Sequence, residues 1–581
     1  MSSICITRLI STEINNYRMK YSVLSQIYHQ LESTSKTLDK TKILADFLKN
    51  VKSDELEEVI LLIQGRAFPE YDSNEIGIGA QLTIKAIASA SGVPIAKVNL
   101  SWKQKGDLGE TAEELISNKK QATLFSKTLT TNNVLTNLQK LAGLEGAGTV
   151  DKKVSLIKEL LTSAQDLSAK YIIRTALGDL RIGVGEGVLR DAISQAFSVD
   201  KEAVQRSYNL TTDFGEVAQL AKTGGSEALK KSKIVVGHPL KVMLYQKVHD
   251  IPEAFERVGK PAAFEYKYDG FRLQIHKKGS QVWLFTRRQE DVTNQFPDVV
   301  DIIKKRIDAT SFIMDSEIIG LDIKTGKWLP FQNISQRIKR KYGIIEMIKK
   351  IPVIINVFDI IYLNGKNVIH KPYGERYGLI KKTIKPIKNK LNIAKQMLTT
   401  DPKEAEEFYK ESLRMGNEGI MVKNLDAEYK PGSRVGYGVK VKPIMDSLDL
   451  VIVGAEWGTG KRGGWLSSYV LACVDRDKNE FLEMGKLGTG IKEKAEMGTS
   501  FQEFTTLLKP LIIKESGKTV TVKPEIVIEV AYEEIQKSPT YGSGYALRFP
   551  RLTRLRNDRR PEEADDIKRV KDLFRNQRGQ K

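Results

Sequence analysis

The sequence predicts a multidomain chain of mixed class: a helical region, an α+β region, and a small β-barrel closed by a helix. Three observations predict it. Apolar residues recur at helical spacing up to about residue 235. From about 236 the period changes to two, with helical segments interspersed. After Pro443-Ile444-Met445-Asp446, short β-branched runs alternate with glycine turns over the last 130 or so residues. A length of 581 residues suits three or four such domains. A content of 41% apolar and 28% charged residues suits folded domains with real cores.

Residues 1–18 are polar and without period, and read as an unstructured extension, with Met19 as the natural start. The intact mass of natively expressed protein decides that point. Helical spacing begins with Leu24, Ile27 and Leu31. Ser53, followed by Asp54, Glu55, Glu57 and Glu58, predicts a capped helix with an acidic first turn, stopped by Gly65. Val154–Ala164 and Leu189–Phe197 repeat the logic. Glycines punctuate the region at Gly106-Asp107-Leu108-Gly109 and from Gly178 to Gly185, where Arg181 lies among them. Such glycines let backbone approach a phosphate closely, but a turn between helices is the plainer reading. Thr223-Gly224-Gly225-Ser226, with Lys230, Lys231 and Lys233, reads as a linker. The helical region is thus set at 19–235.

The α+β region is set at 236–446. Its predicted strands are Gln281–Phe285, Ser311–Gly320, Val353–Tyr362, Gly419–Lys423 and Val439–Val441; its predicted helices are Phe296–Ile307 and Pro402–Met415. One stretch organises it: Glu265-Tyr266-Lys267-Tyr268-Asp269-Gly270-Phe271-Arg272. Asp-Gly between two alternating segments predicts a hairpin, with Lys267 at a strand end. Residues 447–581 form the barrel, of the OB-fold type, ending in a helix with Ile567, Val570 and Phe574 on one face.

Lysine and arginine outnumber the acids 92 to 72, a net charge of +20. That excess favours a polyanion as partner through counterion release. No apolar run approaches the roughly 20 residues a bilayer span needs, and no signal-peptide core opens the chain. Cys5 and Cys473 alone cannot build a disulfide framework or a cysteine-rich zinc site, and the five histidines are scattered. A reducing cytoplasm fits.

Charged residues on or beside the predicted strands of the middle region form a mixed set: Lys267, Arg272, Arg287, Glu317, Glu418, Lys423, Arg434, Lys440 and Lys442. Singly, each reads as a solvated strand end. Together they offer cations for phosphate oxygens and two glutamates for a hard metal ion. Phe358 is either core or a stacking platform for a base. The combination points to a nucleoside triphosphate. A lysine in such a set suggests covalent catalysis: cations, here Lys440, Lys442 and a metal ion, and partial burial lower a lysine pKa, and the neutral amine attacks an α-phosphate.

The stretch 265–272 resembles the KxDGxR signature of the covalent nucleotidyltransferases, which include DNA ligases, RNA ligases and capping enzymes. An ordered series of similar motifs follows: Phe285–Asp291, Met314–Glu317, Phe358–Gly365, Glu418–Lys423, Val439–Lys442, and Arg548–Arg551 through Arg556–Arg559. From about residue 19 onward the chain is most similar to archaeal ATP-dependent DNA ligases. The resemblance implies a helical DNA-binding domain, an α+β adenylation domain and a C-terminal OB-fold. It implies that Lys267 takes up AMP from ATP, that Glu265 lies beside the adenine and that Phe358 stacks on it. Arg272 and Glu317 would contact ribose and phosphate. Arg287, Arg434 and Lys440, with Lys442 nearby, would bind AMP or the nick phosphate. Glu418, with Glu317, would hold Mg2+ or another divalent cation, and Arg554, Arg556 and Arg559 would orient the leaving pyrophosphate. Nicked duplex DNA is the implied substrate of a monomer associated with the nucleoid. Gln121, Leu124 and Phe125 resemble a shortened sliding-clamp (PCNA) binding motif.

Two departures stand out: Gly438 where many relatives have an aromatic, and Arg559 where lysine is usual. The first alters local packing; the second replaces a point charge by a planar fork. RNA ligase and capping guanylyltransferase are alternative readings, disfavoured by the long helical region. An NAD-dependent ligase is disfavoured by the missing cysteine zinc module, and a silent DNA- or clamp-binding scaffold by the intact charged set.

Overall fold

The computed structural model describes residues 18–577 except 73, 119–127, 145, 147, 330, 339, 341, 444–445, 459–461 and 494–498. The proposed clamp segment and residues 1–17 lie outside the described residues.

Helices occupy the chain from Tyr21 to Lys230 and share one apolar core. The acidic run after Ser53 behaves differently from a simple cap. Ser53–Glu55 is a 3₁₀ turn leading into the helix Leu56–Ile63. Glu55 and Glu58 are buried: Glu55 accepts from the Met19 backbone N–H at 2.8 Å and Glu58 from the Thr131 hydroxyl at 2.7 Å. These acids fasten distant segments instead of merely facing a helix dipole. Gly65 ends the helix at φ 70°.

The two glycine clusters meet. Arg181 pairs with Asp107 at 2.9 Å and with Asp179 at 2.6 Å, and Asp107 caps the helix Leu108–Ser117 while pairing with Arg174 at 3.0 Å. The 178–185 segment is a turn between helices. The expected linker at Thr223–Ser226 is instead helical: Phe214–Lys230 runs through it with a break at Gly225. Buried Ala221 and Leu229 anchor the helix on either side of the break. The irregular connection follows, at residues 231–243.

The strands of the middle region, in chain order, are β1 (Leu244–Val248), β2 (Ala262–Lys267), β3 (Phe271–Lys278), β4 (Gln281–Thr286), β5 (Ser311–Leu321), β6 (Trp328–Leu329), β7 (Val353–Leu363), β8 (Lys366–Asn367), β9 (Leu391–Ile393), β10 (Gln396–Thr399), β11 (Gly419–Asn424) and β12 (Arg434–Val441). They build two sheets. One has the order β1-β12-β11-β2-β10; the other has β4-β3-β5-β7-β8, with β6 on β5 and β9 on β7. The expected hairpin at Asp269-Gly270 is therefore not formed. β2 pairs with β10 and β11, and β3 pairs with β4 and β5, so each is interior to its own sheet. Each strand has two hydrogen-bonding edges, and other strands take both edges of β2 and of β3, which leaves none for pairing with each other. Gly270 is required by close approach: a Cβ there would lie 2.1 Å from the Ile318 carbonyl oxygen.

The C-terminal region is strand-rich. A seven-stranded antiparallel sheet begins at Leu448–Trp457 and ends at Arg551–Leu555, around a core of Leu450, Ile452, Leu471, Phe501 and Ile528. The closing helix is Ile567–Asn576, with Ile567 and Val570 buried and Phe574 packed against the same core.

The chain divides into two compact units. One holds residues up to Tyr245, Gly270–Ala394 and Leu425–Val435; the other holds Gln246–Asp269, Lys395–Asn424 and Gly436 onward. The middle region contributes to both.

Candidate active site

Lys267 ends β2. Its side chain shares a face with that of Glu265, because side chains alternate along a strand. The register sets Gly419 opposite Lys267 and Met421 opposite both Glu265 and Lys440. The Glu418 N–H donates to the Lys267 carbonyl at 2.8 Å, which brings the carboxylate alongside. Gly419, at φ 140°, lets the chain pass: a Cβ there would lie 2.1 Å from the Val441 carbonyl oxygen.

The Glu418 carboxylate lies 2.5 Å from Lys267 Nζ and 2.9 Å from Lys442 Nζ. Glu418, expected as a metal ligand, instead lies between the Lys267 and Lys442 ammoniums. Burial alone would raise the Glu418 pKa, but Lys267 and Lys442 outweigh it and hold the carboxyl far below its usual range. Burial opposes the Lys442 charge, yet Glu418 and Glu533 offset it and hold the ammonium pKa above its ordinary value. Glu533, from the C-terminal region, is 3.1 Å from Lys442, and Arg548 is 3.7 Å from Glu418. Glu265 and Lys423 form a second pair at 2.6 Å, both nearly fully buried, with Gln396 donating to Glu265 at 3.1 Å. Such a pair is costly unless well bonded, and here it is. The tyrosines flanking Lys267 serve the scaffold. Tyr266 packs on Phe408 at 5.0 Å and accepts from Lys395 Nζ at 3.1 Å, while the Tyr268 hydroxyl accepts from the Lys395 N–H at 3.1 Å.

The other unit holds a second cluster. Arg272 on β3 pairs with Asp315 of β5 at 2.5 Å, donates to the Met243 carbonyl at 2.8 Å and to Tyr429 at 3.1 Å, and lies 5.2 Å from the Phe358 ring centre. Phe358 is half-buried on β7. Glu317 is half-buried on β5, opposite Arg272 in register. Arg287 is exposed in the turn after β4, and Arg434 is exposed at the start of β12.

Arg554, Arg556 and Arg559 are engaged by acids of the C-terminal region. Arg554 pairs with Glu529 at 2.6 Å; Arg556 and Arg559 converge on Asp449 at 2.7 and 3.0 Å. Among the described residues no three acidic, histidine or cysteine side chains come together as a metal-ligating group. Of the two carboxylates expected to hold a divalent cation, Glu418 is engaged by Lys267 and Lys442, and Glu317 is half-buried on β5. Sequence reasoning missed Asp315 as the partner of Arg272, together with Tyr429, Asp449 and Glu533. Polar Arg272, Gln274 and His276, spaced by two within an apolar strand, were the signal for the first. Tyr429 and Glu533 carried none.

Among the described residues no helix is long and apolar enough to cross a membrane. Three family models match: DNA ligase N terminus over residues 20–194, ATP-dependent DNA ligase domain over 242–442, and ATP-dependent DNA ligase C-terminal region over 462–559. A DNA ligase of Nanoarchaeum equitans is 50% identical over 97% of this chain and 99% of its own length. A DNA ligase of Thermococcus fumicolans is 44% identical over 96% and 98%. A solved structure named Pmar-Lig_PreS3 shares the fold at TM-score 0.54 and 17% identity, over 92% of this chain and 99% of that one. On these matches, which span its helical, adenylation and strand-rich regions, the chain belongs to the ATP-dependent DNA ligase family.

Proposed function

We propose that this ATP-dependent DNA ligase seals 5′-phosphate/3′-hydroxyl nicks in duplex DNA with Lys267 as the residue that carries AMP. The observation that carries the assignment is Lys267 at the end of β2, a nucleophile whose ion-pair partner, Glu418, is shared with Lys442. Lys267 first gives up its ammonium proton to water; the neutral amine then attacks the α-phosphorus of ATP, an N–P bond forms, the bond to pyrophosphate breaks, and a second N–H proton leaves to solvent. AMP then passes to the 5′-phosphate at the nick. The 3′-hydroxyl attacks that phosphate, AMP leaves, and the strand is closed.

Around this chemistry Glu265 and Phe358 hold the adenine, and Arg272 and Glu317 hold ribose and phosphate. Arg287, Arg434, Lys440 and Lys442 neutralise phosphate charge on AMP or the nick. Arg554, Arg556 and Arg559 orient pyrophosphate after release from Glu529 and Asp449. Glu418 and Glu317 are the carboxylates assigned to Mg2+, which when bound supplies positive charge to the phosphates. The enzyme acts as a cytoplasmic, nucleoid-associated monomer in replication, repair and recombination.

The test uses labelled ATP, GTP or NAD with magnesium, followed by nicked DNA. Label from ATP alone enters the protein and is lost to nicked DNA; label from GTP or NAD, or none, overturns the assignment. Sliding-clamp binding is assigned to Gln121, Leu124 and Phe125. Replacing Leu124 and Phe125 by alanine is expected to abolish clamp binding in a pull-down while sealing by the isolated enzyme stays largely intact. Unchanged clamp affinity refutes it.

A further inference from the structure

Arg272 stands at one end of a buried polar relay. Arg272, Gln274 and His276 alternate along β3 with the apolar Phe271, Leu273 and Ile275, so all three project from one face of the strand. Gln274 Nε2 donates to Asp315 Oδ1 at 3.3 Å, and Arg272 and Tyr429 both donate to Asp315 Oδ2. Gln274 Oε1 accepts from the Leu240 N–H at 2.8 Å and from His276 Nε2 at 3.0 Å. His276 Nδ1 in turn accepts from the Gly237 N–H at 3.1 Å. Burial, with a lesser contribution from His238, pushes the His276 pKa down to about 3, so the ring is neutral and fits these roles.

The far end of the relay is therefore the irregular segment 237–243, which leaves the helical region. Gly237 and Leu240 give it two N–H groups, Met243 gives Arg272 its carbonyl, and the Met243 N–H meets the Tyr429 hydroxyl at 3.3 Å. The helical region grips the same segment: the Thr212 hydroxyl donates to the Pro239 carbonyl at 2.9 Å, and the Lys241 N–H donates to the Asn209 carbonyl at 2.9 Å. Asn209 also donates to the Pro431 carbonyl at 2.9 Å, two residues from Tyr429. Apart from Arg272 Nε, which is buried without a hydrogen-bond partner among the described residues, the polar side-chain atoms of this network are bonded, and partial loss of such a network is costly.

We propose that Gln274 and Tyr429 are positioning residues that set the guanidinium of Arg272 for the nucleotide, and that the relay seats Arg272 on the segment leaving the helical region. This rests on the assignment of Arg272 to ATP. Neither positioning residue needs to touch substrate; both act through Asp315 and Arg272.

The experiment measures the rate of Lys267 adenylation against ATP concentration in single turnover, for Gln274→Leu, Tyr429→Phe and Arg272→Lys, and for each double variant with Arg272→Lys. Circular dichroism and thermal melting check the fold; Tyr429→Phe removes only a hydroxyl and carries the test if Gln274→Leu does not fold. Each single variant is expected to raise the half-saturating ATP concentration roughly tenfold, with the maximal rate within about threefold. In the Arg272→Lys background, Gln274→Leu and Tyr429→Phe add less than about twofold, since residues acting through one group are non-additive. Folded variants with unchanged half-saturation, or with effects that multiply fully with Arg272→Lys, overturn the proposal. If Arg272→Lys itself leaves half-saturation unchanged, the nucleotide role of Arg272 fails, and the proposal falls with it.

Discussion

Replacing Lys267 by alanine is expected to abolish the protein–AMP adduct and to lower overall sealing by roughly 10⁴-fold or more, because no other group supplies the nucleophile. Lys267→Arg is expected to fail equally: the guanidinium keeps the charge opposite Glu418 but does not become a neutral amine at working pH. The measurement is label retained on the protein after incubation with radioactive ATP. A second measurement separates chemistry from folding. Nicked DNA already carrying AMP on its 5′-phosphate needs no lysine, and Lys267→Ala is expected to close it at a rate comparable to the unmodified enzyme. An adduct on Lys267→Ala would show that a different residue is the nucleophile.

The second large effect lies one residue from Phe358, the proposed stacking partner of the adenine. Asp359, beside Phe358 on β7, is fully buried and takes two bonds from the equally buried Arg376, at 2.8 and 3.1 Å. Arg376 also donates to the Lys371 and Ala427 carbonyls. Removing one partner of a buried pair leaves the other charge uncompensated. Asp359→Ala is expected to destabilise this unit by about 3–5 kcal/mol, read as a shift of its transition in urea. Replacing both residues together, Asp359→Leu with Arg376→Met, is expected to recover much of that loss, since two apolar groups leave no orphan charge. If the double variant is as unstable as Asp359→Ala, the cost is one of packing and the ion pair is not its source.

Much of this molecule is legible in the sequence, for identifiable reasons. The strands carrying Glu317, Phe358 and Lys440 are legible as short β-branched runs, and the helix Pro402–Arg414 announces itself by an Asp-Pro start and an apolar stripe. Local chemistry failed where tertiary pairing decided. Asp269-Gly270 has the composition of a hairpin turn, but β2 pairs with Gln396–Thr399 and Gly419–Asn424, far along the chain, while β3 pairs with the next strand, β4, and with β5. Thr223–Ser226 has the composition of a linker, but anchoring by Ala221 and Leu229 keeps it helical. The same limit applies to the site. Glu418 was recognisable as a candidate metal ligand, yet only the register between β2 and β11 reveals that its oxygens meet Lys267. Asp449 sits at the head of an apolar strand, and nothing nearby shows that it gathers Arg556 and Arg559 from more than 100 residues away.

The group Lys267, Glu418 and Lys442 changes sign when its charges are followed through a turnover. At rest two ammoniums share one carboxylate, and the trio is net positive. With AMP carried on Lys267 as proposed, that residue becomes a phosphoramidate bearing a phosphate anion, so Lys442 then stands as the one cation of the trio against two negative groups. The sign inverts each time AMP is taken up and reverts each time it is handed on. On the proposed assignment of AMP to Lys267, incoming ATP therefore meets a positive trio before adenylation and a negative one after it, and that reversal disfavours a second ATP at the loaded site.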